Sequence, residues 1–231
     1  MARGRIVLLV GGLLVAALAA SLAFPHGPTR RLLSAAAHFE CVLSPADPGA
    51  PDGVVALGDS ITAGDHFEAL DIGADTSWFD VLACRDDSPV TYLGNHGVPG
   101  EETGEILARV DDALAADPGT VLVLAGTNDV REGRTSGSLD NLTAIATAIR
   151  DAGAEPLFAT LPPSDDHAAA TAAFNEELLA WADREDVQLL DFWTPLADAD
   201  GTFAEGMSTD GTHPSAAGAA VLADVAAAAL G

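Results

Sequence analysis

Val54-Val55-Ala56-Leu57-Gly58-Asp59-Ser60-Ile61-Thr62 is a short apolar run that stops on a Gly-Asp-Ser exit. A run this brief, bounded by turn residues, predicts a strand buried on both faces rather than a helix. Four later runs share its character: Val90 to Leu93, Thr120 to Ala125, Glu155 to Thr160 and Val187 to Asp191. Each is rich in Val, Leu or Phe and ends at turn residues, so five strands are expected. Between them the apolar spacing becomes helical, over Ser77 to Cys84, Thr103 to Ala115, Ser138 to Ala152 and Ala168 to Arg184, with Ser215 to Leu230 closing the chain. Strands and helices alternate throughout, which predicts a parallel sheet covered by helices on both faces. No internal repeat interrupts the pattern.

The chain has 231 residues, enough for one α/β domain and a short appendage. Apolar residues make up 48%, so a core can be buried. Charge is one-sided: 10 basic residues, all Arg, face 35 acidic ones, for a net charge of −25. Such a surface repels phosphate backbones and anionic headgroups, so neither nucleic acid nor a membrane surface is an expected partner of the folded domain. Without Lys the chain cannot build the lysine contact of a phosphate-binding loop, and it has no Gly-x-Gly-x-x-Gly. Metal-ligand spacings such as Cys-x-x-Cys are missing, and the many Asp residues are scattered, so no metal or other cofactor is expected.

Ahead of the domain, Arg3 and Arg5 precede an uncharged run from Ile6 to Ala20, followed by Ser21-Leu22-Ala23. Residues 1–23 therefore read as a cleaved secretory signal or as an N-terminal membrane anchor, since the run approaches the roughly 20 residues that span a bilayer. Either places the rest of the chain outside the cytoplasm. Residues 24–53, rich in Pro around a helical candidate from Thr29 to His38, read as a stalk or wrap-around segment before the domain proper at 54–231. In an oxidising compartment the two cysteines, Cys41 and Cys84, are expected to form a disulfide.

Ligands of an open parallel sheet sit beyond the carboxyl ends of its strands. There this chain places Gly58-Asp59-Ser60-Ile61-Thr62, then Gly94-Asn95-His96-Gly97-Val98-Pro99-Gly100, then Gly126-Thr127-Asn128-Asp129, and beyond the last strand Ser208-Thr209-Asp210-Gly211-Thr212-His213-Pro214. A serine hydroxyl needs a neutral imidazole to take its proton as it attacks. His213 is the best base available for Ser60, and Asp210 in the same turn can fix its tautomer. The N–H groups of Ser60 and Gly100 and the side-chain amide of Asn128 can stabilise an oxyanion, Gly100 letting the backbone approach closely. Asp129 reads as structural, a partner for Arg131 or Arg134, and His96 as a solvated loop residue. Trp193, Phe203 and Met207 lead into the Asp210 loop as a pocket or a simple apolar lid.

Together these four blocks resemble the SGNH hydrolases, also called GDSL-type esterases and lipases, in order and spacing from about Val54 to the C-terminus. Leu161-Pro162-Pro163 and Asp191-Phe192-Trp193-Thr194-Pro195-Leu196 add to the likeness. The resemblance implies a three-layer α/β/α, flavodoxin-like sandwich. It also implies Ser60 as nucleophile, His213 as base, Asp210 as its orienting acid, Gly100 and Asn128 in the oxyanion hole, and no cofactor. One departure is that Glu102, followed by Thr103, stands where relatives often carry Thr. The pentapeptide Gly58 to Thr62 lacks the closing Gly of the α/β-hydrolase nucleophile elbow, so that larger architecture fits poorly. The expected activity is serine esterase chemistry on short-chain or acetyl esters, either small molecules or groups on polysaccharides. An acyltransferase, a lysophospholipase and a non-catalytic sugar-binding module are the alternatives.

Overall fold

The computed structural model describes residues 41, 45–50, 52–64 and 77–231. The expected signal or anchor at 1–23, the helix from Thr29 to His38 and most of the Pro-rich segment lie outside the described residues. Those described belong to one compact unit, Cys41–Gly231.

Five strands form one sheet in the order β2-β1-β3-β4-β5. They are β1 (Gly53–Gly58), β2 (Thr91–Gly97), β3 (Thr120–Leu124), β4 (Glu155–Ala159) and β5 (Gln188–Leu190). Every pairing is parallel. The three-layer, flavodoxin-like arrangement follows, with the strand order reversing about β1, so the crevice between the exits of β1 and β3 is the natural ligand position.

The apolar runs alternate cleanly between the two faces. Val54 and Ala56 of β1, Leu122 and Leu124 of β3, and Leu157 and Ala159 of β4 enter one core; α2 (Trp78–Ala83) and α8 (Ala216–Leu230) cover it through Trp78, Phe79, Leu82, Leu222 and Ala226. Val55, Leu57, Val121, Val123 and Phe158 enter the other core. There α3 (Thr103–Ala108), α4 (Val110–Leu114), α6 (Ser138–Asp151) and α7 (Ala168–Glu185) pack through Ile106, Ala113, Ile145, Leu178 and Trp181. A strand buried on both sides needs apolar residues at every position, which is why β1 shows no polar alternation.

Three differences from the sequence expectation concern the site. The predicted helix from Thr103 to Ala115 is broken at Arg109, whose backbone (φ −123°, ψ 17°) ends α3 and starts α4. β2 runs on to Gly97, so Gly94 to Gly97 are strand and the loop is only Val98 to Glu102. Two short helices were not anticipated, α1 (Ser60–Ala63) and α5 (Thr127–Arg131), each starting directly after a strand exit.

Near the other end of the sheet, the Ala46 N–H donates to the Tyr92 carbonyl and the Gly49 N–H to that of Ala116, laying residues 45–50 along the domain. Cys41 and Cys84 form the expected disulfide across 43 residues. In the chain-entropy account, closing such a loop stabilises the fold by about 4 kcal/mol. Among the described residues no helix is long and apolar enough to cross a membrane.

Candidate active site

The end of β1 turns sharply because Asp59 caps α1: its Oδ1 accepts from the Ile61 N–H at 2.9 Å. That places Ser60 as the first residue of a helix, with an N–H that has no intrahelical acceptor. Asp59 is fully buried, and burial pushes its carboxyl up to about 6 against the lowering effect of the Ile61 N–H, the Thr127 hydroxyl and nearby His213.

The loop after β5 brings an imidazole to Ser60. His213 Nε2 lies 2.9 Å from Ser60 Oγ, and its Nδ1 lies 2.7 Å from Asp210 Oδ2. The other Asp210 oxygen accepts from the backbone N–H groups of Thr212, at 2.9 Å, and His213, at 2.8 Å. Partial burial alone would raise the Asp210 carboxyl, but the His213 ring and these two N–H groups outweigh it and hold it at about 2. Asp210 is therefore ionised at any working pH, which favours the Nδ1–H tautomer and leaves Nε2 free to accept the serine proton. Ser208 closes the turn, its hydroxyl donating to the His213 carbonyl at 2.6 Å and accepting from the Gly211 N–H at 3.0 Å. From the loop after β4, the Asp165 N–H donates to the Gly211 carbonyl at 2.9 Å, while Asp165 Oδ1 accepts from the Phe203 N–H at 2.9 Å.

Gly100 and Asn128 stand beyond β2 and β3, the two strands that flank β1, and Gly58 pairs in register with both Gly97 and Leu124. Gly100 has a φ of +85°, which L residues rarely adopt, and a Cβ there would touch no protein atom. A backbone conformation of this kind is a requirement for glycine in its own right, beside the expected close approach to an oxyanion. Asn128 is buried, and one of its two amide hydrogens goes to the Glu101 carbonyl at 2.8 Å. The second makes no hydrogen bond among the described residues.

The flanking residues correct the sequence reading. Asp129 pairs with neither Arg131 nor Arg134. Its buried carboxylate accepts from the Thr103 N–H and hydroxyl, at 2.9 and 2.7 Å, and from the Ser138 hydroxyl at 2.6 Å. This explains the departure at Glu102: Thr103 ties the Gly100 loop to α5, while Glu102 pairs with Arg134 at the surface. Arg131 pairs with Glu132. His96 lies on β2 and is half-buried; burial, followed by neighbouring Arg109, holds its protonation below the usual imidazole range. Arg109, Glu101 and Asp165 carry no signal in the sequence, and Ser208, though part of the Asp210 block, has no role that the sequence assigns. Among the described residues no group of three His, Cys, Asp or Glu side chains could hold a metal ion.

The sequence matches the GDSL-like lipase/acylhydrolase family over residues 56–221, which takes in every block above. The chain belongs to that family. As a GDSL-like acylhydrolase it is a carboxylic ester hydrolase. A lipolytic protein of the G-D-S-L family from Desulfitobacterium hafniense is 25% identical, with a TM-score of 0.66 over 77% of this chain and 99% of that one. TesA is 26% identical, with a TM-score of 0.62 over 75% of this chain and 94% of that one. The psychrotrophic esterase EstA from Pseudoalteromonas sp., solved with monoethylphosphonate as inhibitor, shares the fold at 22% identity and a TM-score of 0.60, covering 76% and 94% of the two chains. A search of curated proteins returned no match.

Proposed function

We propose that this acylhydrolase is an extracytoplasmic serine esterase that works through an acyl-enzyme on Ser60 and prefers acetyl or other short-chain esters. The observation that carries the reading is the unbroken relay of 2.9 Å and 2.7 Å contacts from Ser60 Oγ through His213 to Asp210. In the first half-reaction Ser60 Oγ attacks the ester carbonyl carbon and its proton passes to His213 Nε2. The carbonyl oxygen becomes an oxyanion facing the N–H groups of Ser60 and Gly100 and the free amide hydrogen of Asn128, while ionised Asp210 stabilises the imidazolium. Collapse breaks the bond to the leaving alkoxide, which takes the proton from His213 and departs as alcohol. Water then repeats the sequence on the acyl-enzyme, releasing the acid and restoring Ser60.

Two features support the finer reading. The disulfide fits an oxidising compartment, in keeping with residues 1–23 as a signal or anchor. The sequence of residues 54–231 contains no long apolar insertion from which a deep acyl tunnel could be built, which favours a shallow cleft and a short acyl group. The test is hydrolysis of a p-nitrophenyl ester series by the oxidised full chain beside Ser60→Ala. Turnover of the acetate that falls by about a thousandfold or more in Ser60→Ala, with rates declining beyond short chains, is the expected result. Equal rates in both proteins contradict the nucleophile, and a maximum at twelve carbons or longer contradicts the chain-length preference.

A further inference from the structure

We propose that Arg109 is a positioning residue that sets the geometry of the oxyanion hole through backbone carbonyls; the proposal rests on the serine esterase reading above. Arg109 breaks the helix that the sequence predicts over Thr103 to Ala115, and from that break its side chain runs inward, only 15% exposed. Nη2 donates to the Gly58 carbonyl at 2.8 Å and Nη1 to the His96 carbonyl at 2.7 Å, while Nε pairs with the Glu101 carboxylate.

Each contact bears on a different member of the hole. Gly58 is two residues before Ser60, at the carboxyl end of β1, and its carbonyl also accepts from the Val98 N–H at 2.9 Å, at the start of the Gly100 loop. His96 is the penultimate residue of β2, just before that loop. Glu101 follows Gly100 directly, and its carbonyl fixes the Asn128 amide at 2.8 Å. One guanidinium therefore fastens the strand exit carrying Ser60 to the one carrying Gly100, and through Glu101 it also sets Asn128. No part of Arg109 is among the groups assigned to the reacting atoms.

The planar fork is what makes this possible: several donors in a fixed geometry can hold two carbonyls and a carboxylate at once, which a single ammonium cannot do. Oxyanion donors work only when placed before the charge develops, and displacement of about 1 Å by a remote change can cost about 100-fold in rate. Loosening this clamp should lower kcat while sparing ground-state binding, because the ester carbonyl needs those donors far less than the tetrahedral oxyanion does.

The experiment measures kcat, KM and the pH profile of p-nitrophenyl acetate hydrolysis for the full chain and for Arg109→Met, Arg109→Lys, Glu101→Gln and Ser60→Ala, with near-ultraviolet circular dichroism to establish folding. Arg109→Met is expected to lose about 10- to 100-fold in kcat with KM within about twofold and the acid limb of the profile unmoved, since His213 is untouched. Arg109→Lys should recover part of the loss. Glu101→Gln, which keeps the carbonyl that holds Asn128, should lose only severalfold. Should Arg109→Met fail to fold, the Lys and Gln variants carry the same test. Folded variants with kcat within about twofold of the parent, or with the loss confined to KM, overturn the proposal while leaving the esterase intact. A parent chain with no Ser60-dependent turnover overturns the esterase reading, and this inference with it.

Discussion

The two halves of the site are built on opposite principles. On the oxyanion side, Asn128 is 2% exposed and the Gly100 loop is anchored by Thr103 on buried Asp129 and by Glu101 on Arg109. On the base side, the His213 and Asp210 side chains are 41% and 51% exposed, on a loop held mainly by its own short hydrogen bonds through Ser208 and Asp210. The difference matches what the proposed mechanism asks of each half. Oxyanion donors must not move, so they sit at the exits of adjacent strands and inherit the rigidity of the sheet. An imidazole must pass a proton between Ser60 and the leaving group, so it sits on a loop at the open edge of the site rather than in the sheet.

If the halves divide the labour in this way, the sharpest break comes from the base side. Asp210→Asn removes the carboxylate that fixes the tautomer while leaving the loop's shape, and kcat of p-nitrophenyl acetate hydrolysis should fall by about 10⁴-fold with the protein still folded. A smaller loss is expected across the sheet. Asn128→Ala deletes one donor of three and should cost about 100- to 1,000-fold in kcat with KM little changed. A rise in KM at constant kcat would show that Asn128 binds substrate and transition state alike, and the contrast between the halves would lose its basis.

The smallest effect sharpens the comparison through stability. Asp59 lies under Ser60 at the buried side, and its carboxyl is raised from 3.8 to about 6 by burial. The folded state thus holds its proton more tightly than the unfolded chain, so this group's contribution to stability is greatest below about pH 4, declines as pH rises toward 6, and stays low above that. Asp59→Asn keeps an oxygen for the Ile61 N–H without the charge. It should stabilise the protein by about 2 to 3 kcal/mol at pH 8, with the gain vanishing near pH 4, as read by chemical denaturation at both values. A gain independent of pH would show that the buried charge is not its cause.

How much could be read from the sequence follows the same division. The base half is local: Asp210 and His213 are three residues apart, and one turn determines their relation. Ser60, Gly100 and Asn128 could be found because each lies within a few residues of a strand exit and sheet topology does the rest. Arg109 could not, because two of its three partners are backbone carbonyls, at Gly58 and His96, and a carbonyl leaves no mark in residue identity. The break at Arg109 was hidden for a related reason: the apolar spacing of Ile106, Val110 and Ala113 runs through it as if one helix continued. Asp129 misled because Arg131 and Arg134 are close in sequence, whereas its partners Thr103 and Ser138 are 26 and 9 residues away.

The central claim is that Ser60 is the nucleophile, and covalent trapping tests it most directly. The oxidised full chain would be treated with an ethyl p-nitrophenyl alkylphosphonate, and the adduct located by peptide mass spectrometry. The account predicts one adduct per chain, on the peptide containing Ser60, formed in step with loss of esterase activity and absent in Ser60→Ala. An adduct on another residue that accompanies the same loss of activity, or full inactivation of Ser60→Ala's residual turnover at the parent's rate, would contradict it.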